Sequence, residues 1–213
     1  GKVLVNGQVA GMGQQVEETD TVQVGKKILQ GKQTQKVLAF YKPVGVTCTE
    51  RDPHAEKKIM DMIRYPERLT YAGRLDKDSE GLILLTNDGD LINAMMRGAN
   101  RHEKEYIVKT DREITPDFLE KMAKGIYLKD LDITTRECEI EQIGKFTFRI
   151  VLTQGVNRQI RRMCEACGYR VKALKRIRIM NILLGDLKPG KWREVTGEEL
   201  EQLQRDTGML NRN

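Results

Sequence analysis

The chain has 213 residues, enough for one substantial core and a small additional module. Its longest fully apolar run, Leu82 to Leu85, is far shorter than a membrane span, so we expect no membrane partner. Four cysteines in a chain without any sign of secretion indicate reduced thiols rather than a disulfide framework. We therefore expect a cytoplasmic protein that acts as a monomer.

Positive charge is concentrated in one part of the chain. Residues 145–193 contain 13 Lys and Arg against only Glu165 and Asp186, a net charge of +11, whereas the remaining residues carry −5. A merely solvated surface usually mixes the two signs. The segregation therefore favours a nucleic-acid partner, because Lys and Arg that neutralise phosphates release condensed counterions.

Residues 1–30 are interpreted as a small β module. Val3 to Val5 and Gln8 to Ala10 flank Asn6-Gly7, a pair that accepts positive φ at both central positions of a hairpin turn, and a further strand follows at 21–24. About 30 residues are too few to bury a core, so we expect part of this module to precede Gly1. The polar stretch 31–36 predicts a linker, and 37–213 form the second domain.

The first half of this domain begins with a buried strand over 37–41 and a turn at Pro43-Gly45. A helix with Asp52-Pro53 at its N-terminus follows, then a strand over 69–72, a polar loop over 73–81 and an apolar strand over 82–85. Asp90 is predicted to cap a helix that ends near Gly98.

The second half alternates strands and helices. Strands are predicted at 106–108, 146–152 and 171–179, and helices at 156–167 and from Thr115-Pro116 to Gly125. A capping box, Thr196 to Glu199, begins the last helix. Because full-length crossover helices are few, we expect an α+β fold: a largely antiparallel mixed sheet with flanking helices and a central cleft.

The loop over 73–81 places polar side chains between two rigid strands, where functional sites commonly occur. Periodicity alone favours a charged surface turn whose acids serve only solubility. The stretches Tyr71-Ala72-Gly73-Arg74-Leu75-Asp76 and Gly81-Leu82-Ile83-Leu84-Leu85-Thr86-Asn87-Asp88-Gly89, however, resemble the signature of pseudouridine synthases. These enzymes convert a uridine in RNA into its C5-linked isomer without a cofactor.

Three further stretches agree with this family. Lys42 to Val46 is similar to its opening strand and turn, Lys104-Glu105-Tyr106 to its second motif and Gly155 to Met163 to its third. The chain most resembles the branch that carries an N-terminal S4 RNA-binding domain, so 1–30 would be a partial S4-like module. His102 to Tyr106 and Arg176 to Asn181 most resemble the large-subunit enzymes of the F type, which implies 23S ribosomal RNA as the substrate.

The resemblance implies that Asp76 is the essential carboxylate, which attacks the sugar or the pyrimidine or removes a sugar proton. Burial disfavours an ionised carboxylate, so a cation beside it is needed. By the family's pattern that cation is Arg161. Helical spacing supports this role, since Arg161 lies about 100° from Ile160, on the flank of an apolar stripe. A simple phosphate contact by Arg161 remains the alternative.

Tyr106 would, by the same resemblance, stack on the uracil and relay the C5 proton, although a strand tyrosine can also simply fill the core. The uridine must leave its base stack to be reached. Arg74 is the candidate to fill the vacated space, with an ion pair to Asp78 or Glu80 as the alternative. Contacts with RNA are predicted for Arg74 and for nine other residues: Arg97, Arg101, Lys104, Asn157, Arg158, Arg162, Lys172, Arg176 and Arg178.

Other functions and substrates remain open. The acids Asp76, Asp78, Glu80, Asp88 and Asp90 could form the metal site of a nuclease, although we expect no metal and no cofactor. A catalytically silent RNA-binding protein is the other rival. Within the family, a uridine of small-subunit ribosomal RNA or tRNA is the alternative substrate, and the large-subunit RNA could be free or part of an assembling subunit.

Overall fold

The computed structural model describes residues 2–17, 20–25, 27–30, 35–49, 57–97 and 101–210. Within these ranges, no helix has the length and apolar character required to cross a lipid bilayer. The chain divides into two compact units, residues 1–35 and 36–213. The interpretation of the first unit as part of an S4 domain stays a prediction.

The first unit is a four-stranded antiparallel sheet. It consists of β1 (Val3–Val5), β2 (Gln8–Val9), β3 (Val22–Val24) and β4 (Lys27–Gln30), in the order β2-β1-β3-β4. The predicted hairpin is confirmed: Asn6 and Gly7 have φ of 51° and 81°, and Leu4 pairs with Val9. The sequence did not predict β4. Residues 31–34 of the predicted linker lie outside the described residues.

The second unit is built on a nine-stranded sheet. In chain order its strands are β5 (Val37–Lys42), β6 (Thr70–Ala72), β7 (Glu80–Thr86), β8 (Lys104–Thr110), β11 (Glu139–Gly144), β12 (Thr147–Leu152), β13 (Val171–Ile179), β14 (Ile182–Leu183) and β15 (Trp192–Glu194). The main path of the sheet runs β11-β12-β8-β13-β7-β5-β15, while β6 pairs with β7 and β14 with β13. A separate pair, β9 (Tyr127–Leu128) and β10 (Ile133–Thr134), is also antiparallel.

Among the strand pairs that the structure describes in the large sheet, only β7 and β13 are parallel, so the predicted α+β fold with a largely antiparallel mixed sheet is confirmed. The flanking helices are α1 (Ile59–Met62), α2 (Gly89–Met96), α3 (Pro116–Lys124), α4 (Gln159–Ala166) and α5 (Gly197–Asp206). Helix α3 begins and ends as expected, with the Thr115 hydroxyl accepting a hydrogen bond from the Phe118 amide and Gly125 at φ 93°.

Three helix starts differ from the predictions. Asp88, rather than Asp90, caps α2, because its side chain accepts hydrogen bonds from the amides of Asp90 and Leu91. The Thr196 side chain makes no capping bond at α5. Helix α1 starts only at Ile59, and the predicted cap at 52–53 lies outside the described residues.

Alternate residues of β5 face opposite cores, which explains its unbroken apolar sequence. Leu38 and Phe40 join a cluster with α1, whereas Ala39 and Tyr41 join a cluster with α2 and α5. A third cluster packs α3 and α4 on β8, β12 and β13. Tyr106 contacts both the α1 cluster and the α3–α4 cluster, so it lies where the two meet on one face of the sheet.

The parallel pairing of β7 and β13 depends on a glycine. Gly81 is paired with Arg176 and has φ of 112°. A Cβ atom at this position would lie 2.2 Å from the carbonyl oxygen of Arg176 and 2.7 Å from its nitrogen. Only glycine allows the two backbones to approach this closely. The contact anchors the end of the loop that carries Asp76.

Candidate active site

Asp76 lies in the loop between β6 and β7, where the sequence placed the site. The loop is held as a turn by a hydrogen bond of 3.1 Å from the Ser79 amide to the Asp76 carbonyl. The Asp76 side chain is about one-third exposed, at 34%. Its Oδ2 lies 3.5 Å from Nη1 of Arg158. The carboxylate is therefore accessible and has a cation beside it.

A cleft of about 570 Å³ opens in front of this carboxylate. Its volume is within the range of ~300–1,000 Å³ that is common for small-ligand sites. The walls come from the turn after β5, from the loop before β7 and from the start of α4: Val44, Gly45, Thr47, Cys48, Thr49, Arg74, Leu75, Asp76, Lys77, Asp78 and Arg158. The cleft thus combines two acidic and three basic side chains with apolar residues.

The cation beside Asp76 differs from the predicted one. Arg158 precedes α4 in the left-handed conformation, φ 51°, and its guanidinium binds Asp78 through Nη1 and Nη2 at 3.2 Å and 3.1 Å. Arg161 is instead directed behind the loop, where Nη2 donates to the Asp78 carbonyl at 3.0 Å and to Ser79 Oγ at 3.1 Å. The turn before α4 brings Arg158 to the cleft, which helical spacing alone did not show.

Asp78 links the two arginines. Partial burial acts to raise the pKa of Asp78, but the hydrogen bonds from Arg158 and the charges of Arg161 and Arg158 outweigh it, so this pKa lies below its ordinary value. Asp78 consequently stays ionised at neutral pH and can hold both guanidinium groups. Arg161 is 9% exposed and sits beside the buried apolar stripe of α4, as its helical position predicted.

Tyr106 lies on β8 and is half-buried. It pairs in register with Arg176 on β13, which in turn pairs with Gly81 at the end of the Asp76 loop. Neighbouring strands are about 4.8 Å apart, so the backbones of Tyr106 and Gly81 are separated by roughly 10 Å. This distance lets a side chain on β8 approach the region of the loop.

The turn after β5 is a part of the site that the sequence reasoning did not assign. The Lys42 ammonium is fully buried and donates to the carbonyls of Pro43 and Val46, both at 2.8 Å. Burial lowers the pKa of Lys42. The Gly45 amide donates to the Lys77 carbonyl at 2.7 Å, which joins this turn to the Asp76 loop. Pro43 and Gly45, which follow the buried strand, were the sequence feature that could have indicated this part of the site.

Cys48 was also missed as a wall of the cleft. It is 3% exposed, and its Sγ accepts a hydrogen bond of 3.4 Å from the Leu75 amide, next to Asp76. Burial raises the pKa of the Cys48 thiol. The side chain therefore acts as an apolar group that supports the loop. No sequence pattern distinguished it from the other cysteines.

Comparison with known proteins identifies the family. Residues 36–166 match the sequence profile described as RNA pseudouridylate synthase, and they include all the motifs that suggested it. The chain belongs to the RNA pseudouridylate synthases. It is therefore an enzyme that isomerises uridine in RNA. Its fold is similar to that of a pseudouridylate synthase crystal structure, with a TM-score of 0.76 and 27% sequence identity. The match covers 95% of this chain and 88% of that structure's chain.

Individual synthases are similar over almost the whole chain. The dual-specificity RNA pseudouridine synthase RluF of Escherichia coli is 43% identical over 205 residues, 95% of this chain and 70% of the relative. The ribosomal large subunit pseudouridine synthase B of Pseudomonas aeruginosa is 32% identical over 221 residues, 98% of this chain and 57% of the relative. The similarity therefore extends over nearly all of the second unit.

The predicted RNA contacts of this synthase divide into accessible and occupied side chains. The exposed residues are Arg74, Arg97, Arg101, Asn157 and Lys172, together with Arg158, which is exposed but already bound to Asp78. Arg162 is in an ion pair with Asp130. Arg178 pairs with Glu103 and Glu105 at 3.0 Å and 2.6 Å. Lys104 is half-buried, and burial together with the charge of Arg176 lowers its pKa.

The prediction that Arg176 contacts RNA is wrong. Strict alternation along β13 would place it on an exposed basic face, but it is only 2% exposed. Two register irregularities, between Val171 and Ala173 and between Arg176 and Arg178, break the alternation. Each bulge lets extra residues face one partner and so changes which side chains point inward. Arg176 is a core residue of the synthase.

The acids proposed for a metal site do not assemble. Within the described ranges, no three His, Cys, Asp or Glu side chains lie close enough to hold a metal ion. Asp78 is bound by arginines, and Asp88 caps a helix. The same ranges show free cysteines, with Cys164 buried in the core as its helical position predicted.

Proposed function

We propose that this synthase isomerises a specific uridine of large-subunit (23S) ribosomal RNA, with Asp76 as the reacting carboxylate and without a cofactor. The observation that carries the proposal is the position of Asp76: an accessible carboxylate in a nucleotide-sized cleft, 3.5 Å from a fixed guanidinium. The names of the relatives, one dual-specificity and one acting on the ribosomal large subunit, support the choice of RNA.

The reaction breaks the C1′–N1 bond, turns the detached uracil and forms a C1′–C5 bond, so no group or electron is gained or lost. Asp76 acts as a nucleophile on the sugar or pyrimidine, or as a base on the sugar, and each route requires its ionised form. Arg158 stabilises that form, and Arg161 together with Asp78 holds Arg158 and the loop in place. Tyr106 stacks on the uracil and relays the C5 proton to N1.

Base extrusion precedes the chemistry. A uridine within folded RNA is unreachable until it leaves its stack. Arg74 is exposed and lines the cleft, and within the described residues its guanidinium forms neither of the ion pairs with Asp78 or Glu80 that were the alternative. We assign Arg74 to the space that the uridine vacates. The other exposed basic residues, Arg97, Arg101 and Lys172, bind phosphates and orient the strand.

A uridine in small-subunit ribosomal RNA or tRNA is the alternative substrate. The protein acts, in this proposal, as a cytoplasmic monomer on free ribosomal RNA or on an assembling large subunit. Mapping pseudouridines in RNA from cells with and without the gene identifies the modified nucleotide. Loss of a pseudouridine from 23S RNA is the expected result, and a loss confined to small-subunit RNA or tRNA contradicts the choice of substrate.

The decisive variant is Asp76→Asn, which keeps the shape of the side chain and removes its charge. We expect uridine isomerisation to disappear while RNA binding is retained, because the basic residues outside the cleft are unchanged. Asp117→Asn, on an exposed face of α3, is the matched control and keeps full activity. Isomerisation by the Asp76→Asn protein refutes the role of Asp76. Activity that a chelator abolishes, with cleavage of the RNA, favours the nuclease instead.

A further inference from the structure

Arg176 connects the two ends of the Asp76 loop. Its Nε donates to the carbonyl of Leu82, just after the loop, at 2.7 Å. Its Nη2 and Nη1 donate to the carbonyls of Gly73 and Arg74, at the beginning of the loop, at 3.3 Å and 3.4 Å. Three nitrogens of one planar group therefore join the strand that follows the loop to the residues that start it.

This arrangement is unusual for an arginine. The side chain is 2% exposed, and within the described ranges its hydrogen-bond partners are backbone carbonyls, without an ion pair to a carboxylate. A buried charge without a carboxylate partner is costly compared with an apolar side chain of similar volume. Stability of the sheet alone does not account for it. All three hydrogen bonds go to residues at the two ends of the loop, which indicates that Arg176 fixes the conformation of the loop.

Apart from Arg176, the start of the loop is supported by the hydrogen bond from the Leu75 amide to Cys48 Sγ. Strand β6, which leads into it, has three residues and pairs only with β7. Gly73 then turns the chain with φ of 84°. The carbonyls of Gly73 and Arg74 are thus outside any strand pairing and depend on Arg176. Asp76 follows two residues later, so a shift of this segment moves the carboxylate.

We propose that Arg176 is a positioning residue for catalysis: it holds the 73–79 loop so that Asp76 faces the cleft at reacting distance, and it does not contact RNA. The inference rests on the proposed role of Asp76. It assigns to Arg176 a function different from that of Arg158, which touches the carboxylate itself. Arginine is required because its fork supplies separate nitrogens for Leu82 and Gly73, whereas lysine offers one.

The test uses Arg176→Met and Arg176→Lys in the full chain, with Arg149→Met as the control. Arg149 lies on β12 of the same sheet and forms ion pairs with Glu105 and Glu139, but it is distant from the loop in the sheet order. Each variant is measured for kcat, KM, RNA affinity and hydrogen exchange of the peptide covering 73–81. A misplacement of about 1 Å in a reacting group lowers rates by about 10²-fold.

We expect kcat of Arg176→Met to fall by about 10²-fold, with KM and RNA affinity within about threefold of the parent protein. Exchange should accelerate in the 73–81 peptide but not in α3. Arg176→Lys keeps the charge and loses the fork, so its kcat should also fall. The Arg149→Met protein keeps the parent kcat and the parent exchange in 73–81.

Several results would overturn the inference. A folded Arg176→Met protein with parental kcat shows that the loop does not need Arg176. A loss of RNA affinity at unchanged kcat returns Arg176 to an RNA-binding role. If Arg176→Met fails to fold, Arg176→Lys decides, and failure of both to fold assigns Arg176 to sheet stability alone. Isomerisation by the Asp76→Asn protein, by contrast, refutes the proposed role of Asp76 whatever the Arg176 variants do.

Discussion

Arg158 holds Asp78 through both terminal nitrogens, at 3.2 Å and 3.1 Å. The same guanidinium lies 3.5 Å from Asp76, so Asp78 fixes the position of the cation beside the Asp76 carboxylate. Two-point binding restricts the rotation of the guanidinium plane, which a single contact does not. The pair therefore presets the charge distribution of the cleft before RNA arrives.

Replacing Arg158 by Gln should lower kcat roughly 10- to 100-fold, because the cation beside Asp76 contributes through electrostatic preorganisation. Steady-state kinetics at several salt concentrations measure the effect. The salt dependence of RNA binding should be unchanged. Lys172→Gln, at an exposed predicted RNA contact, is the control and should show the opposite pattern, with kcat kept and the salt slope reduced by about 1. A reduced slope at parental kcat in Arg158→Gln would identify Arg158 as a phosphate contact.

Arg74→Ala should impair the enzyme most on folded RNA. If Arg74 fills the space left by the extruded uridine, its loss lowers kcat/KM by about tenfold on a hairpin, since unstacking costs a few kcal/mol. The same uridine in an unstructured oligonucleotide should be modified at nearly the parental rate. The comparison of the two substrates serves as the control. Equal losses on both substrates contradict this role.

Gly81→Ala should destabilise the protein by at least about 3 kcal/mol, because the added Cβ combines overpacking with backbone strain. The Cβ would meet the Arg176 carbonyl at 2.2 Å. Gly208 has φ of 71° but open space around it, so Gly208→Ala isolates the strain. That variant should cost about 1 kcal/mol. Urea unfolding measures both, and equal losses would show that the close contact with β13 is not required.

Glu105→Gln should make the free energy of unfolding less dependent on pH in the acidic range. Glu105 is bound by Arg149 and Arg178 at 2.7 Å and 2.6 Å and has a side chain 12% exposed. Partial burial raises the pKa of Glu105, but the hydrogen bond from Arg178 and the positive charges of Arg149 and Arg178 outweigh it, so the pKa lies below its ordinary value. The stabilisation is complete above the unfolded pKa of about 4.3 and disappears as pH falls through the folded one.

The expected loss in Glu105→Gln is therefore about 1–3 kcal/mol at pH 7 and much less at the most acidic pH at which the protein folds. Urea unfolding across this pH range checks it. Glu139→Gln, whose carboxylate also binds Arg149 but is 67% exposed, should cost less than about 1 kcal/mol. A pH-independent difference between Glu105→Gln and the parent protein contradicts the assignment of the ion pairs.

Local patterns were sufficient for most of the secondary structure. The Asn6-Gly7 turn and the Thr115 cap depend on neighbouring residues, so the sequence predicts them directly. The motif around Asp76 similarly located the loop at the cleft. Strand β13 was predicted with its observed bounds, yet the exposure of Arg176 was not, because its bulges arise from pairing with β8.

The sequence by itself determined the family, the α+β class and the loop that carries Asp76, because these depend on motifs and on the alternation of apolar residues along single elements. Only the tertiary structure decided which arginine accompanies Asp76 and which one is buried behind its loop. Arg158, Arg161 and Arg176 are about 80 to 100 residues from their partners in the chain. Such distant pairings follow from strand order and register, which no local spacing encodes.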